Sequence, residues 1–333
     1  MLNLLLLGCI AVISLSTNVS ARDHSSPLNP MVIYTTSPSS NSFLGLIEQG
    51  IEKAQHELGI NVSQTVVNHS DYMDTVRNAV ENKYDPILAV YASSTPNLEN
   101  FVKSHPGTRF IAYDISYDAS NSIGILFDNR HSAYIMGYLA ATKTQTGKVG
   151  FIGGIDSAPI DNFLCGFELG IESVSKDVKV DVAYIGKSHS AWTDKHTASE
   201  IASKMLYEGT DIIFPVAGEA SIGVYDVIKA RGGMAFGVDT DKSAQYSNVI
   251  LASMIKHVDK ATYAVLKQLH LGIWNSNHKH FGVSQNMVDV VLNPKHTSIT
   301  DSDMELIRKL SDEMKMPASK PLQRLNKHCN RHL

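Results

Sequence analysis

Apolar runs that end abruptly in small or polar residues recur along the chain, and the clearest pair spans residues 212–220 and 234–241. The first run leads into a glycine turn at 216–218, and the second ends just before Asp239. Each run predicts a buried strand of a parallel α/β sheet followed by a turn. Ligands of such sheets bind outside the carboxyl ends of the strands, so we expect these turns to line a binding site.

The rest of the chain repeats this alternation of strand and helix patterns with short connections. We predict strands at 31–35, 61–67, 86–91, 109–113, 122–127, 148–153, 179–184, 212–216, 234–238, 249–254, 282–286 and 288–292. We predict helices at 43–58, 72–82, 96–104, 131–144, 160–173, 194–208, 221–231, 258–269 and 302–314. Such alternation is typical of βαβ units, and the pattern restarts near residue 122. The fold class is therefore α/β with two lobes built on parallel sheets. Because no Pro/Gly/Ser-rich linker separates them, we expect several chain crossings between the lobes.

Composition narrows the function. The chain has 333 residues, of which 43% are hydrophobic and 19% charged, which is enough for about two domains. Its 29 Lys+Arg against 33 Asp+Glu leave a net charge of -4, so no basic surplus supports binding to nucleic acid. The 14 His are scattered, and the sequence contains neither His-Glu-x-x-His nor Cys-x-x-Cys, so we expect no metal.

The N-terminal segment 1–21 has the pattern of a signal peptide. Residues 2–15 are almost continuously apolar but too short to span a membrane, and Val19 and Ala21 fit a cleavage site. The first residues carry no Lys or Arg, which departs from the usual pattern. A lipid anchor at Cys9 is the second interpretation. Either one predicts export to the periplasm or the cell envelope.

The cysteine pattern is less informative. Of the 3 Cys, Cys9 would leave with the signal peptide, and Cys165 lies on a predicted helix among apolar residues. We expect Cys165 to be a small buried side chain. Cys329 lies in a polar tail, and the spacing leaves open whether it pairs with Cys165.

Familiar catalytic and cofactor motifs are absent from the sequence. The glycines at 149–154 do not follow the G-x-G-x-x-G spacing of a dinucleotide site, and close helix–strand packing explains them. The sequence has neither a G-x-S-x-G elbow nor a Gly-Lys-Ser/Thr phosphate loop. We therefore predict a protein that is not an enzyme and has no cofactor.

Candidate site residues stand at the ends of the predicted strands and at one helix start. Asp114 and Asp239 are each the first polar residue after an apolar run, one in each lobe. Turn formation is the alternative role for each of them. Phe43 could stack on a flat ligand or belong to the core, and Lys256 could contact a ligand or face solvent. Trp192 is expected to be a packed loop residue.

Several spaced motifs resemble the basic membrane protein family, which comprises the purine-nucleoside-binding subunits of ABC transporters. The resemblance runs from about Met31 to Leu292. It is carried by Ser42-Phe43, Asp71-Tyr72, Val76-Arg77-Asn78, residues 87–90, Phe127, residues 137–141, residues 148–155, Phe163, Gly166-Phe167, Gly170, Phe214-x-Val216-Ala217-Gly218, Gly223-Val224, residues 237–241 and Ser253-Met254-x-Lys256.

The resemblance implies a type I periplasmic-binding-protein fold with two Rossmann-like lobes and three hinge crossings. It implies crossings near residues 127, 252 and 278, with one lobe at 30–126 plus 254–277 and the other at 127–252 plus 279–333. It also implies that a purine nucleoside lies in the cleft between them. The implied contacts are Phe43 stacked on the base, Asp114 as the first-lobe carboxylate, the backbone of Val216, Ala217 and Gly218, Asp239 on the base edge and Lys256 near the ribose.

The sequence departs from the family pattern at the cleft. Residues 39–41 are Ser-Ser-Asn where the family usually has acidic residues, and Leu44-Gly45 stands where Asn-Gln is usual. Residues 129–133 lack the usual Glu, and Glu219-Ala220-Ser221 replaces a stretch in which Gly and Thr are common. These changes concern the ribose side and the rim of the cleft rather than the fold.

We therefore expect an exported, monomeric solute-binding protein that closes on a small neutral ligand and presents it to an ABC permease in the membrane. A purine nucleoside is the first choice of ligand. A sugar or another small polar solute is the alternative within this class, and the loss of the acidic loop favours it. A sensory module that docks on a membrane receptor is the alternative from another class, and a hydride-transfer enzyme ranks third.

Overall fold

Strands and helices alternate along the chain and build two separate sheets. A computed structural model describes residues 28–90 and 95–329. The strands in these residues are β1 (Met31–Tyr34), β2 (Ser63–Val66), β3 (Ile87–Ala89), β4 (Phe110–Tyr113), β5 (Ser122–Phe127), β6 (Lys148–Ile155), β7 (Lys179–Gly186), β8 (Ile212–Val216), β9 (Met234–Gly237), β10 (Ile250–Lys256), β11 (Lys279–Phe281) and β12 (Val288–Leu292). The helices are α1 (Phe43–Leu58), α2 (Tyr72–Glu81), α3 (Leu98–Ser104), α4 (Arg130–Lys143), α5 (Ala158–Val174), α6 (Lys195–Tyr207), α7 (Ser221–Arg231), α8 (Val258–His270), α9 (Asp301–Met314) and α10 (Lys320–His328).

The two sheets have the same strand order. The first sheet runs β2-β1-β3-β4-β5-β11, and the second runs β7-β6-β8-β9-β10-β12. Within the described residues every pair is parallel except β10 with β12. This order places a switch point between β1 and β3 in the first lobe and between β6 and β8 in the second. The predicted α/β fold with two parallel lobes is confirmed.

Helix α1 shows how a helix is held on the first lobe by an apolar face. On α1 the buried positions Leu44, Ile47, Ile51 and Ala54 recur every three or four residues, and α8 packs beside them. Gly59 ends this helix with a φ of 66°, in the left-handed region where glycine is favoured. Fully burying a Leu or Ile side chain contributes about 1.5–3 kcal/mol, so this apolar face is what holds α1 on the first lobe.

Three chain crossings connect the lobes and lie side by side. The first crossing follows β5, and there the Asp128 N–H donates to the Phe281 carbonyl at 2.7 Å. The second follows β10, where the His257 N–H donates to the Met287 carbonyl at 2.9 Å. The third comprises residues 282–287. The backbone hydrogen bonds join the first and second crossings to the third, so the crossings form one short hinge.

Two lobe boundaries lie later than the resemblance implied. Lys256 pairs with Val288 in the second sheet, so residues 254–256 belong to the second lobe and the chain crosses at His257 rather than near 252. Phe281 pairs with Phe127 in the first sheet, so the third crossing follows Phe281 rather than lying near 278. In both places the strand pairing continues past the implied boundary, and the chain leaves the sheet only where the pairing stops.

The predicted strand at 282–286 is wrong. A 3₁₀ helix (Val283–Gln285) occupies these residues, and Asn286 has a φ of 53°, which is incompatible with an extended strand. The Gln285 side chain accepts the Gly282 N–H at 2.9 Å and stabilises the turn. The strand lies just before it, at Lys279–Phe281. Helix α10 (Lys320–His328) was not predicted from the sequence.

Several predictions concern residues that the structure does not describe. The signal peptide at 1–21, its cleavage near Ala21, the lipid anchor at Cys9 and the strand end at Tyr91 lie outside residues 28–90 and 95–329. Within the described residues, no helix combines the length and the apolar character that a membrane crossing needs.

A disulfide joins Cys165 on α5 to Cys329 at the end of α10. The expectation that Cys165 is simply a small buried side chain is therefore wrong, because it is half-buried and covalently bonded. The bond holds the C-terminal helix on the second lobe, where Leu325 is also fully buried and Arg324 contacts Glu172 at 2.6 Å. Disulfides persist in oxidising compartments, which agrees with export.

We expect replacement of both cysteines by alanine to lower the free energy of unfolding by about 2–5 kcal/mol, because the bond closes a long loop and restricts the unfolded chain. Urea denaturation of the oxidised protein and of the Cys165→Ala/Cys329→Ala variant would measure this. Reduction of the wild type should reproduce the loss and leave the variant unchanged. Equal stability of the oxidised and reduced wild type would contradict the prediction.

Candidate functional site

The carboxyl ends of the two sheets face each other across the hinge and enclose a cavity of about 100 Å³. It is lined by Phe43, Tyr113 and Asp114 from the first lobe and by Ser157, Pro159, Ile160, Phe163, Trp192, Val216, Gly218, Val238, Asp239 and Lys256 from the second. Six of the seven predicted site residues are thus brought together, although 213 positions separate Phe43 from Lys256 in the chain.

Ala217 is the predicted residue that the cavity excludes. It is 1% exposed and packs into the core behind the turn. Its N–H is directed at the Ser221 hydroxyl, 3.3 Å away, rather than at the cleft. The turn therefore presents Val216 and Gly218 to the cavity, and Gly218 adopts a φ of 57°. The strand alternation that ends at Val216 is the reason, because neighbouring side chains point to opposite faces.

Both aspartates occupy the position that strand-end patterns predicted, and both have an unusual backbone. Asp114 follows β4 with a φ of 55°, and Asp239 follows β9 with a φ of 71°. Left-handed φ values are uncommon for residues other than glycine, and they cluster at functional sites. Backbone bonds hold each position, since the Asp114 N–H donates to Ile125 at 2.9 Å and the Asp239 carbonyl accepts from Lys256 at 3.1 Å.

Lys256 crosses the cleft to Asp114. Its ammonium group lies 3.2 Å from Oδ2 and 3.4 Å from Oδ1 of that carboxylate. The side chain is 3% exposed, so the lysine is not the solvent-facing residue that its type predicts. The Phe43 and Phe127 rings lie 4.7 Å and 4.8 Å from the ammonium nitrogen, within cation–π range.

Asp239 presents a second carboxylate to the cavity, and its surroundings differ from those of the ion-paired Asp114. Desolvation at the cavity wall raises the pKa of Asp239, while Lys256 and Lys242 partly offset this effect and Asp114 adds to it. Such a carboxylate gains from ligand N–H or O–H donors, which replace the water it has lost. Within the described part of the chain, no group of three or more His, Cys, Asp or Glu side chains is arranged to hold a metal ion.

Trp192 is a cavity residue that the sequence analysis interpreted as loop packing. It ends a 3₁₀ helix (His189–Trp192) and presents its ring to the cavity across from Phe43 of the other lobe. Gly154 makes room for it, because a Cβ there would lie 2.5 Å from the indole. The indole N–H has no hydrogen-bond partner among the described residues. The second glycine of Gly153-Gly154 was the available signal, and it was attributed to helix packing.

The rim of the cleft is closed by contacts between the lobes. The Thr35 hydroxyl of the first lobe lies 2.6 Å from Nε2 of His189 in the second lobe. The ring of His189 stacks on that of His69, with centroids 5.1 Å apart and planes 1° from parallel. Because His189 and Trp192 share one 3₁₀ helix, this contact also positions a wall of the cavity.

Comparisons with known proteins agree with this architecture. The family model described as ABC transporter substrate-binding protein PnrA-like matches residues 29–320. Basic membrane protein A1 of Borrelia garinii subsp. bavariensis is 26% identical over 312 residues, or 89% of this chain and 88% of that protein. The ABC transporter nucleoside-binding protein BmpA of Lactococcus lactis subsp. cremoris is 31% identical over 207 residues, or 57% and 58%. An Aeropyrum pernix K1 solute-binding protein of an ABC transporter system superposes with a TM-score of 0.75 at 20% identity, covering 91% of this chain and 98% of that one.

We expect acid to open the cleft. Burial, together with a smaller effect of charge repulsion from His69, lowers the pKa of His189 to about 4. In an open form the imidazole would titrate at about 6.5. Between these two pKa values the open form binds a proton that the closed form does not. The contribution of His189 to closure is therefore complete above about pH 6.5 and is lost as the pH falls towards about 4.

Small-angle X-ray scattering at about pH 7.5 and about pH 5 would measure this as an increase in the radius of gyration. The His189→Gln variant should lose most of the pH dependence. The matched control is His196→Gln, which removes a fully exposed histidine on α6. A wild-type radius that is independent of pH would contradict the prediction.

Proposed function

The chain belongs to the PnrA-like ABC transporter substrate-binding proteins, and we propose that its ligand is a purine nucleoside held between the two lobes. The resemblance to the basic membrane protein family is thereby confirmed. Members of this family are extracytoplasmic binding proteins that deliver small molecules to a membrane permease, and they are not enzymes. The identity of the ligand is the part that we propose.

Aromatic side chains on two sides of the cavity carry this proposal. Phe43 from the first lobe and Trp192 from the second both line it, and Phe163 and Ile160 add apolar surface. A flat heterocyclic base gains from such surfaces through stacking and through removal from water. Phe43 is held in place by Tyr113, whose ring lies 6.2 Å away at an interplanar angle of 87°. A relative named as a nucleoside-binding protein supports the same choice.

The polar groups suit the rest of a nucleoside. Asp239 is an acceptor with a raised pKa at the cavity wall, and we assign to it the N–H donors on the base edge. Asp114 accepts and Lys256 donates, so together they can bind the vicinal hydroxyls of a ribose. Among the described residues, the one lysine that lines the cavity is already paired with a carboxylate, so it is not free to bind a phosphate. The assignment favours a neutral nucleoside over a nucleotide.

We propose that the protein binds its ligand by closure of the two lobes. The ligand contacts both lobes only when the hinge, made of the three crossings, closes and brings the strand ends of the two lobes together. It therefore binds the closed form more tightly than the open form. Binding therefore shifts the population towards the closed form. A permease that contacts both lobes can distinguish the loaded protein from the empty one by this change in shape.

A sugar is the second candidate. Residues 36–42, which join β1 to α1, carry no acidic side chain to hold ribose hydroxyls from the first lobe. Sugar rings also stack on aromatic side chains, and their hydroxyls would suit Asp114 and Lys256. Asp239 distinguishes the two ligand classes, because we assign it to N–H donors on a base edge and a sugar has no such donors.

A thermal-shift screen should show stabilisation by guanosine and inosine at concentrations that give none with ribose, glucose or galactose. Guanine presents two adjacent N–H donors to a carboxylate, so guanosine should give the largest shift. Asp239→Asn should weaken guanosine binding by about tenfold or more, because the amide replaces an acceptor with a donor. Asparagine tolerates a left-handed φ, so this variant should fold.

The matched control is Asp241→Asn, which changes an exposed carboxylate two residues further along that does not line the cavity. It should bind guanosine like the wild type in isothermal titration calorimetry. Stabilisation by sugars and by no purine nucleoside would overturn the proposed ligand.

A further inference from the structure

The loop at residues 39–42 is hydrogen-bonded to the start of helix α1, so the position of the loop determines where the Phe43 ring lies. The Ser42 hydroxyl caps α1 by accepting the Gly45 N–H at 3.1 Å, and it donates to the Ser39 carbonyl at 2.8 Å. A Cβ on Gly45 would lie 2.0 Å from that carbonyl, so only glycine lets the loop fold back onto the helix. Phe43 is the first residue of this helix. A displacement of Ser39 is therefore transmitted to the ring that lines the cavity.

The second lobe holds this loop at two points across the cleft. The Ser39 hydroxyl donates to Oε1 of Glu219 at 2.9 Å. The Asn41 carbonyl accepts from the Lys242 ammonium group and from the Thr240 hydroxyl, which is 3.2 Å away. All three bonds join residues of different lobes, so they exist only when the lobes are closed.

Glu219 and Lys242, which hold this loop and together with Ser39 and Asn41 form a clamp across the cleft, come from the same loops that form the cavity. Glu219 directly follows Gly218 in a 3₁₀ helix (Gly218–Ala220), and Lys242 lies three residues after Asp239. Burial lowers the pKa of Lys242, and the nearby carboxylates of Asp239 and Glu219 oppose this effect. The loop facing them carries no charge, so Glu219 and Lys242 each form a hydrogen bond with a neutral group of this loop on closure and form no ion pair with it.

From this geometry we propose that Glu219 is a positioning residue for ligand retention: it accepts the Ser39 hydroxyl in the closed form and thereby holds Phe43 over the bound molecule. The inference rests on the proposed function only for the identity of the molecule. Opening the cleft must break the Glu219–Ser39 bond, so the bond lowers the rate of ligand release. Entry occurs in the open form, where the bond is absent, and is not affected.

Stopped-flow fluorescence with guanosine as the probe separates the two rates. Glu219→Ala should raise the dissociation rate constant by about three- to tenfold, with an association rate constant close to that of the wild type. Glu219→Gln keeps a side-chain carbonyl that accepts the same hydroxyl, so it should restore slow release. Ser39→Ala should match Glu219→Ala, and the double variant should be no faster than either single one.

The matched control is Glu313→Ala, which removes an exposed glutamate on α9 far from the cleft in sequence and should release guanosine at the wild-type rate. Multiplicative effects of Ser39→Ala and Glu219→Ala would overturn the inference. A Glu219→Gln variant as fast as Glu219→Ala would also overturn it, because charge rather than the hydrogen bond to Ser39 would then be responsible.

A measurement without ligand separates this inference from the proposed function. Single-molecule fluorescence transfer between dyes on the two lobes should show less closed form in Glu219→Ala than in Glu219→Gln. That difference together with no guanosine binding supports the clamp and overturns the nucleoside proposal. Guanosine binding with identical release rates and identical closed fractions in the two variants overturns the clamp and leaves the proposed ligand in place.

Discussion

A lysine with 3% of its side chain exposed needs a partner, and Lys256 finds it in the other lobe. Removal of an ammonium group from water costs several kcal/mol unless a carboxylate compensates, and Asp114 lies 3.2 Å away. Lys256 ends β10 immediately before the second crossing, so this pair joins the lobes beside the hinge. The closed arrangement of strand ends depends on this constraint, because separation of the lobes would leave either a solvated lysine or a lone buried charge.

The same constraint explains why the cavity is both polar and apolar. Phe43 and Phe127 shield the ammonium group from one side, and their rings attract it as a cation. Asp114 then faces the cavity with only part of its hydrogen-bonding capacity used, while Asp239 has no ion-pair partner at bonding distance within the described residues. A ligand with hydrogen-bond donors would satisfy the remaining acceptor capacity of the two carboxylates, and a flat ligand would also cover the aromatic rings. We therefore expect Asp239 and the unused acceptor capacity of Asp114 to determine specificity more than the shape of the cavity does.

The sequence predicted most of what depends on local patterning. Strand-end polar residues pointed to Asp114 and Asp239, which both line the cavity, and the helix Phe43–Leu58 was predicted at its observed bounds. The order of strands within each sheet could not be predicted, because it depends on tertiary pairing between segments that are distant in sequence. For the same reason the disulfide to Cys329 was left open, and the ring position of Trp192 was missed. The boundary near 252 was wrong because β12 pairs with β10 through Lys256 and keeps that strand in the second sheet.

Two residues that depart from the family pattern, Ser39 and Glu219, contact each other across the cleft. The resemblance implies acidic side chains in the loop that here reads Ser-Ser-Asn, and this chain carries Glu219 on the opposite lobe, bonded to Ser39. An acidic residue beside the first-lobe ring would be available to a ligand in the open and closed forms alike. A carboxylate across the cleft acts on that loop only after closure. By our proposal, the carboxylate of Glu219 therefore acts on the release of the ligand rather than on its entry.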